Sequence, residues 1–110
     1  MPLLPNQLFL QILEKFCPSG YDAIPEDLGF EGEKWYPAET YETIFDACTA
    51  HCNERQGCTG FEYGPVLWPW GQYNEGDYAC ATFTDGDGNK GYNDCRLSLS
   101  SKWRSCMKSS

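Results

Sequence analysis

The sequence predicts a small α+β domain in which one central helix packs on an antiparallel sheet and disulfides hold the two together. Seven cysteines in 110 residues are typical of a small disulfide-stapled domain in an oxidising compartment. Aromatic residues make up 15% of the chain, which favours a packed core over disorder. Eleven glycines and seven prolines suit short strands joined by many turns. A chain of this length forms one domain.

The first element is an amphipathic helix at residues 6–16, with Asn6 as its N-cap and Pro18 after its end. Its apolar face has the 3.6-residue period of a helix and comprises Leu8, Phe9, Ile12, Leu13 and Phe16. This face either completes the core of the domain or docks on another protein. Leu8, Phe9 and Ile12 are therefore candidate binding residues.

Residues 18–37 are rich in glycine, proline and acidic side chains, and they predict loops with one short strand around 34–36. A second helix follows, with Thr43 as its cap and Asp46 three residues on, in the manner of a capping box. Ile44, Cys48 and Cys52 share one face of this helix, which Phe45 widens. Gly57 is expected to stop it.

Three strands are predicted after the second helix, at residues 58–64, 78–84 and 92–100. The loop between the first two, "VLWPWGQYNEGDY" at 66–78, contains Trp68, Trp70 and Tyr73. These aromatic side chains either cover the core, contact a protein or stack on a sugar ring. They are the second set of candidate binding residues.

The cysteine-rich segment "ACTAHCNERQGC" allows three chemistries: a zinc site, a redox pair or disulfides. Cys48, Cys52, His51 and Cys58 provide four zinc ligands, but the second closely spaced pair of a structural site is missing. A redox CxxC motif has two intervening residues, whereas Cys48 and Cys52 are separated by three. Disulfides are favoured, because Cys58 can reach Cys52 across the helix end and Cys80 can reach Cys48.

The spacing C-x3-C-x5-C-x2-F, formed by Cys48, Cys52, Cys58 and Phe61 and followed by Cys80, resembles the PAN/apple family. The resemblance spans residues 17–106, with 1–16 as an N-terminal arm and 107–110 as a C-terminal tail. It implies the disulfides Cys48–Cys80, Cys52–Cys58 and Cys17–Cys106, and it implies binding of proteins or carbohydrates without catalysis. This chain departs from the family in having Thr82 where leucine is common. It also has an extra cysteine, Cys95, which can compete with Cys106 for Cys17.

Charge excludes some classes of partner. Sixteen acidic residues against eight basic ones give a net charge of −8, which argues against nucleic-acid binding. Acidic residues concentrate in 22–46, whereas the bases Arg96, Lys102, Arg104 and Lys108 follow one another near the end without an acidic residue. Each patch is either solvated or meets a partner of opposite charge. The sequence has no apolar run long enough for a transmembrane segment.

No catalytic grouping is visible, so the chain is interpreted as a non-enzyme without a cofactor. The single histidine, His51, is expected to be exposed on the flank of its helix. In "DGDGNKGYND" the residues Asp85, Asp87 and Asn89 resemble the start of a calcium loop, but Lys90 and Arg96 stand where glycine and glutamate are needed. The segment therefore predicts a turn, with a weak calcium site as the alternative.

The sequence therefore predicts a recognition module that binds protein or glycan through loops and termini. The alternative is a structural accessory subunit of a larger membrane protein assembly, on the side facing an oxidising lumen such as the thylakoid lumen or the intermembrane space. The N-terminal segment lacks the basic region and small-residue cleavage site of a signal peptide. The expected location is extracellular or an oxidising organelle lumen.

Overall fold

The computed structural model describes residues 15–24, 33–84 and 102–109, which form one helix packed on a five-stranded antiparallel sheet. This confirms the predicted α+β class. The elements in chain order are β1 (Tyr21–Ile24), β2 (Lys34–Trp35), α1 (Ile44–Glu54), β3 (Cys58–Pro65), β4 (Tyr78–Thr84) and β5 (Arg104–Lys108).

The strands are ordered β1-β5-β3-β4-β2 across the sheet. The hairpin of β3 and β4 forms the centre, with Tyr63 opposite Cys80. The last strand, β5, lies between β1 and β3, where Cys106 is opposite both Phe61 and Ala23. The C-terminal strand thus joins the N-terminal strand to the centre of the sheet, so both ends of the domain are part of one hydrogen-bonded structure.

The helix buries the face that its sequence pattern predicts, comprising Ile44, Cys48 and Cys52. The expected capping box does not form, because Thr43 has helical backbone angles and makes no side-chain capping hydrogen bond. The Thr43 hydroxyl instead accepts a hydrogen bond from the Thr40 N–H at 3.1 Å. The helix ends at Glu54, and Gly57 takes its positive φ of 78° in the turn that leads to β3.

Strand alternation divides the buried side chains between the two faces of the sheet. On the helix face, Phe61, Tyr63 and Cys80 pack with the cysteines of α1 in one core. A second, smaller core contains Val66, Tyr73 and Ala79, with Trp35 and Trp103 packed against it. Both faces of the β3–β4 hairpin are therefore covered, which is why its strands are buried along most of their length.

Glycines make room for large side chains on the second face. A Cβ atom at Gly64 would lie 2.3 Å from the Trp103 ring, and one at Gly60 would lie 2.6 Å from both the Cys106 carbonyl oxygen and the Phe83 ring. These separations are well inside van der Waals contact. The absence of a side chain at these two positions lets Trp103 and Phe83 lie directly against the backbone of β3.

Three disulfides connect the elements: Cys17–Cys106, Cys48–Cys80 and Cys52–Cys58. They are the pairs that the family resemblance implies. The first ties the segment before β1 to β5, the second ties α1 to β4, and the third closes the turn between α1 and β3. Both cysteines of the helix are fully buried, so its attachment to the sheet is covalent as well as apolar.

Two strands differ from the sequence prediction. The region read as loops contains β1 at Tyr21–Ile24, and the end of the chain read as a basic tail contains β5. Met107 and Lys108 therefore belong to the sheet and not to a separate tail. Residues 6–14 of the predicted N-terminal helix and the predicted strand 92–100 lie outside the described residues. Within the described ranges, no helix is long and apolar enough to cross a membrane.

Candidate binding groove

A groove of about 560 Å³ opens beside the start of α1. Such a volume lies in the range of small-ligand sites, roughly 300–1,000 Å³. Its lining is dominated by aromatic rings, with three charged side chains among them. The residues are Phe16, Tyr41, Glu42, Ile44, Phe45, Tyr63, Tyr78, Lys102 and Arg104. We call this surface the aromatic groove.

Disulfide and hydrogen-bond contacts hold one wall of the groove. Phe16 precedes Cys17, which is bonded to Cys106 in β5. The Tyr63 hydroxyl donates a 2.6 Å hydrogen bond to the Phe16 carbonyl oxygen. Arg104 is opposite Tyr63 in the β3–β5 register. This wall is thus built from three segments that are distant in the sequence and fixed to one another.

The other lining residues come mostly from the start of α1 and the segment before it. Tyr41 and Glu42 lie in the turn that leads into the helix, and Ile44 and Phe45 begin the helix. Two backbone hydrogen bonds of 2.9 and 3.0 Å join Glu39 to Tyr78. These bonds place the start of β4 beside the turn, so that the Tyr41 and Tyr78 ring centroids are 5.6 Å apart.

Two basic side chains, Arg104 of the groove and Lys15, the residue before Phe16, lie against the Phe16 ring. The Arg104 guanidinium carbon lies 4.6 Å from the centroid of the Phe16 ring, within the range of a cation–π contact. The Lys15 ammonium nitrogen lies 4.9 Å from the same centroid. Arg104 is only 7% exposed and also donates a 2.7 Å hydrogen bond to the Trp103 carbonyl oxygen. The groove therefore combines aromatic rings with basic side chains.

Burial changes the ionisation of the groove residues. Burial raises the pKa of the Tyr63 hydroxyl, an effect that the neighbouring Arg104 charge partly offsets. Burial likewise raises the pKa of Tyr78, and the nearby Tyr41 and Glu42 raise it further. Burial lowers the pKa of Arg104, because it disfavours the charged form. Tyr63 and Tyr78 therefore stay protonated beyond the pH at which a free tyrosine ionises.

The raised pKa of Tyr63 predicts that the domain loses stability at alkaline pH. Below pH 10 the hydroxyl is protonated in both the folded and the unfolded chain; above pH 10 the unfolded chain loses the proton while the folded one keeps it. Stability is therefore lost as the pH rises above 10. We expect Tyr63→Phe to lose about 1.4 kcal/mol less stability than the wild type in total between pH 9 and 11, measured by urea unfolding across that range.

At neutral pH the same substitution removes the hydrogen bond to Phe16 and costs about 1 kcal/mol. Tyr41→Phe is the control at neutral pH, because Tyr41 is 68% exposed and its replacement should leave the neutral stability unchanged. If the unfolding free energy of Tyr63→Phe fell with pH as steeply as that of the wild type, the raised pKa of Tyr63 would be contradicted.

The predicted aromatic loop divides between core and surface. Tyr73 is 2% exposed and its hydroxyl donates to the Tyr36 carbonyl oxygen, so it is part of the core. Trp70 packs edge-on against Trp35, with the ring centroids 4.9 Å apart. Trp68 is 65% exposed, as is its neighbour Leu67. Of the three predicted aromatic binding residues, Trp68 is the most accessible.

His51 lies against another ring and is not simply solvated. Its imidazole stacks on Tyr36, with the ring centroids 3.8 Å apart and the planes 13° from parallel. The prediction of an exposed histidine is therefore wrong. The imidazole is partly covered because Tyr36, which follows β2, lies beside this flank of α1.

Sequence reasoning missed most of the groove. The sequence pattern places Phe16 on a helix face and Arg104 in a basic stretch, while Tyr41, Phe45 and Tyr78 have no motif that marks them as site residues. The predicted positive patch was the one usable signal, because two of its members, Lys102 and Arg104, line the groove. Leu8, Phe9 and Ile12, the odd cysteine Cys95, and the calcium candidates Asp85, Asp87 and Asn89 lie outside the described residues.

Among the described side chains, no three His, Cys, Asp or Glu residues cluster as a metal site would require. No family model, curated protein or solved structure matches the chain. The geometry of the groove and the disulfide scaffold that holds it are therefore the features from which a function can be inferred.

Proposed function

We propose that the chain is a non-catalytic recognition domain of PAN/apple type that binds protein or glycan in the aromatic groove. The observation that carries this proposal is the groove itself, where five aromatic rings line one open concavity. Aromatic and arginine side chains contribute most of the energy in many binding interfaces. Concave, mostly apolar surfaces with a few charged groups are also the usual form of a ligand site.

The scaffold supports a binding role because it holds the groove rigid. Cys17–Cys106 fixes the Phe16 side of the groove, and Cys48–Cys80 fixes the helix that carries Phe45. A preorganised surface loses less conformational entropy when it binds than a flexible one. Among the residues that the structure describes, the lining contains one carboxylate, Glu42, and neither histidine nor cysteine, a composition that favours recognition over acid–base or nucleophilic catalysis.

The three disulfides indicate an oxidising environment and not a cytoplasmic one. We propose an extracellular location or an oxidising organelle lumen, where such crosslinks persist.

The proposal is tested by presenting the domain to a glycan array and to a phage-displayed library of random peptides. We expect saturable binding to members of at least one set, and we expect Tyr41→Ala to weaken it about tenfold or more. Trp68→Ala is the matched control, because Trp68 is as exposed as Tyr41 but lies outside the groove. Equal effects of the two substitutions, or no saturable binding, would contradict a recognition role for the groove.

One observation favours the alternative, a structural accessory subunit of a larger assembly. Leu67 and Trp68 are adjacent and each 65% exposed, an apolar pair suited to contact another protein. A photo-crosslinking amino acid at position 68 distinguishes the two roles in the protein's native compartment. The alternative predicts crosslinking to one partner in stoichiometric yield, and it fails if position 68 crosslinks to nothing while position 41 does.

A further inference from the structure

We propose that a group of basic side chains between β2 and the end of α1 binds a tetrahedral oxyanion, a sulfate or phosphate group that is either a free ion or a monoester. The group consists of Lys34, His51 and Arg55, and we call it the basic cluster. None of these three residues lines the aromatic groove, so the inference goes beyond the proposed function and stands or fails independently of it.

The basic cluster is assembled around two buried side chains, Tyr36 and Thr82. The Tyr36 hydroxyl lies 3.1 Å from Thr82 Oγ1, and Thr82 is opposite Lys34 in the β2–β4 register. The His51 ring stacks on the Tyr36 ring at 3.8 Å, and the Lys34 ammonium nitrogen lies 5.1 Å from the same Tyr36 centroid. Arg55 contacts the Thr82 hydroxyl at 3.0 Å. Bases that are up to 21 positions apart in the chain therefore meet around one pair of side chains.

Arg55 is held in place and still has donors to offer. Its Nη1 donates to the Thr82 carbonyl oxygen at 2.8 Å and to the Thr82 hydroxyl oxygen at 3.0 Å, which fixes the guanidinium plane. Among the described residues, Nε and Nη2 of Arg55 make no hydrogen bond, and neither atom is buried. The Nε–H and one Nη2–H point the same way and form a fork that binds two oxygens of an anion.

His51 and Lys34 supply further donors. The Arg55 N–H donates to the His51 carbonyl oxygen at 3.0 Å, so the two residues are one helical turn apart. Within the described part of the chain the His51 ring nitrogens make no hydrogen bond, and they are not buried. Lys34 is exposed, and its ammonium group has three N–H donors. A tetrahedral oxyanion suits this set better than a carboxylate, because it has oxygens left for His51 and Lys34 after the fork has taken two.

In the described part of the chain, no acidic side chain forms a salt bridge with the basic cluster. This is notable because the chain has 16 acidic residues and only eight basic ones. Hydrogen bonds between charged donors and an anion are roughly twice as strong as those between neutral groups. The basic cluster therefore lacks the counterion that a bound oxyanion would supply.

Disulfides hold the surroundings of the basic cluster in place. The Cys52–Cys58 bond closes the turn that contains Arg55. The Tyr36 N–H donates to the Cys80 carbonyl oxygen at 3.1 Å, and Cys80 is the residue of β4 that is bonded to α1. The helix and the strands that carry the donors are thus crosslinked, and a preorganised site loses less entropy on binding than a flexible one.

NMR titration of the isotopically labelled protein with sodium sulfate tests the inference, with the ionic strength kept constant by sodium chloride. We expect the Arg55 Nε–H signal to shift to saturation with sulfate and not with chloride. Arg55→Lys keeps the charge but removes the fork, so it should weaken sulfate binding about tenfold. Lys34→Gln should weaken it about two- to fivefold. Lys108→Gln is the matched control, because it removes an exposed base of β5 outside the basic cluster and should leave the affinity unchanged.

Lys34→Gln keeps the test decisive if Arg55→Lys fails to fold, because the Lys34 side chain is exposed. Methyl phosphate and inorganic phosphate distinguish the two sources of the anion. Tighter binding of methyl phosphate assigns the site to a monoester, and tighter binding of inorganic phosphate assigns it to a free ion; both results support an oxyanion site. An Arg55 signal that responds to sulfate only as it does to chloride overturns the inference, as do equal losses of affinity for Lys34→Gln and Lys108→Gln.

Discussion

Replacing both Cys17 and Cys106 by alanine is expected to lower the free energy of unfolding by about 4–5 kcal/mol. The two cysteines are 89 positions apart, so their bond closes nearly the whole domain into one loop. On the chain-entropy account, the loss grows with the logarithm of loop length. The expected loss is a large share of the roughly 5–15 kcal/mol that stabilises a small domain. Urea unfolding monitored by tryptophan fluorescence measures it.

The Cys52–Cys58 bond provides the matched control, because it closes a loop of only six positions. Alanine at both of these cysteines is expected to cost about 2–2.5 kcal/mol on the same account. Substituting both members of each pair leaves no new thiol to exchange with Cys95. A larger loss for the short loop than for the long one would show that chain entropy does not set the contribution of these crosslinks.

Phe61→Ala is expected to cost about 3–5 kcal/mol of unfolding free energy, the second largest effect we predict. Phe61 is completely buried in the middle of β3. Its ring packs edge-on against Tyr21 at 5.1 Å and lies 6.0 Å from the Tyr63 ring. Truncation leaves a cavity between the helix and the sheet, at the position where β3 faces both Cys106 and Thr82. Chemical denaturation at neutral pH measures the loss.

Trp68→Ala is the control for the loss of a large ring, because it removes an aromatic side chain that is 65% exposed. The expected change is within about 0.5 kcal/mol. A cost for Phe61→Ala as small as that for Trp68→Ala would mean that the helix-facing core does not form as described.

The helix and the central hairpin could be predicted because their signals are local. Ile44, Cys48 and Cys52 repeat at helical spacing and are buried as expected. The hairpin strands are short runs rich in aromatic and small residues with turn residues on either side, and the predicted bounds agree with β3 and β4 to within one residue. In both cases a few neighbouring residues contain the information that decides the element.

The strands β1 and β5 could not be predicted, because their pairing is determined by residues far away in the chain. β5, with the sequence RSCMK, has two bases in five residues and lacks a strand pattern. It becomes a strand because β1 and β3 provide backbone partners on both sides and Cys17 is bonded to its Cys106. Long-range pairing of this kind overrides local preference.

The groove could not be predicted for a related reason. Its walls combine Phe16, Tyr41, Tyr63 and Arg104, which come from four separate segments. None of these residues has a neighbour whose spacing marks a site. Their proximity follows from the insertion of β5 beside β3, which the sequence did not show. The positive charge near the end of the chain was visible, but its position beside Phe16 was not.

Disulfide mapping tests the central claim most directly, since the groove exists only if the scaffold is linked as described. The native protein is alkylated without reductant, digested and analysed by mass spectrometry. We predict three crosslinked peptide pairs, joining Cys17 to Cys106, Cys48 to Cys80 and Cys52 to Cys58, with Cys95 outside all three. A peptide that joins Cys17 to Cys95, or alkylation of most of the cysteines, would contradict the account.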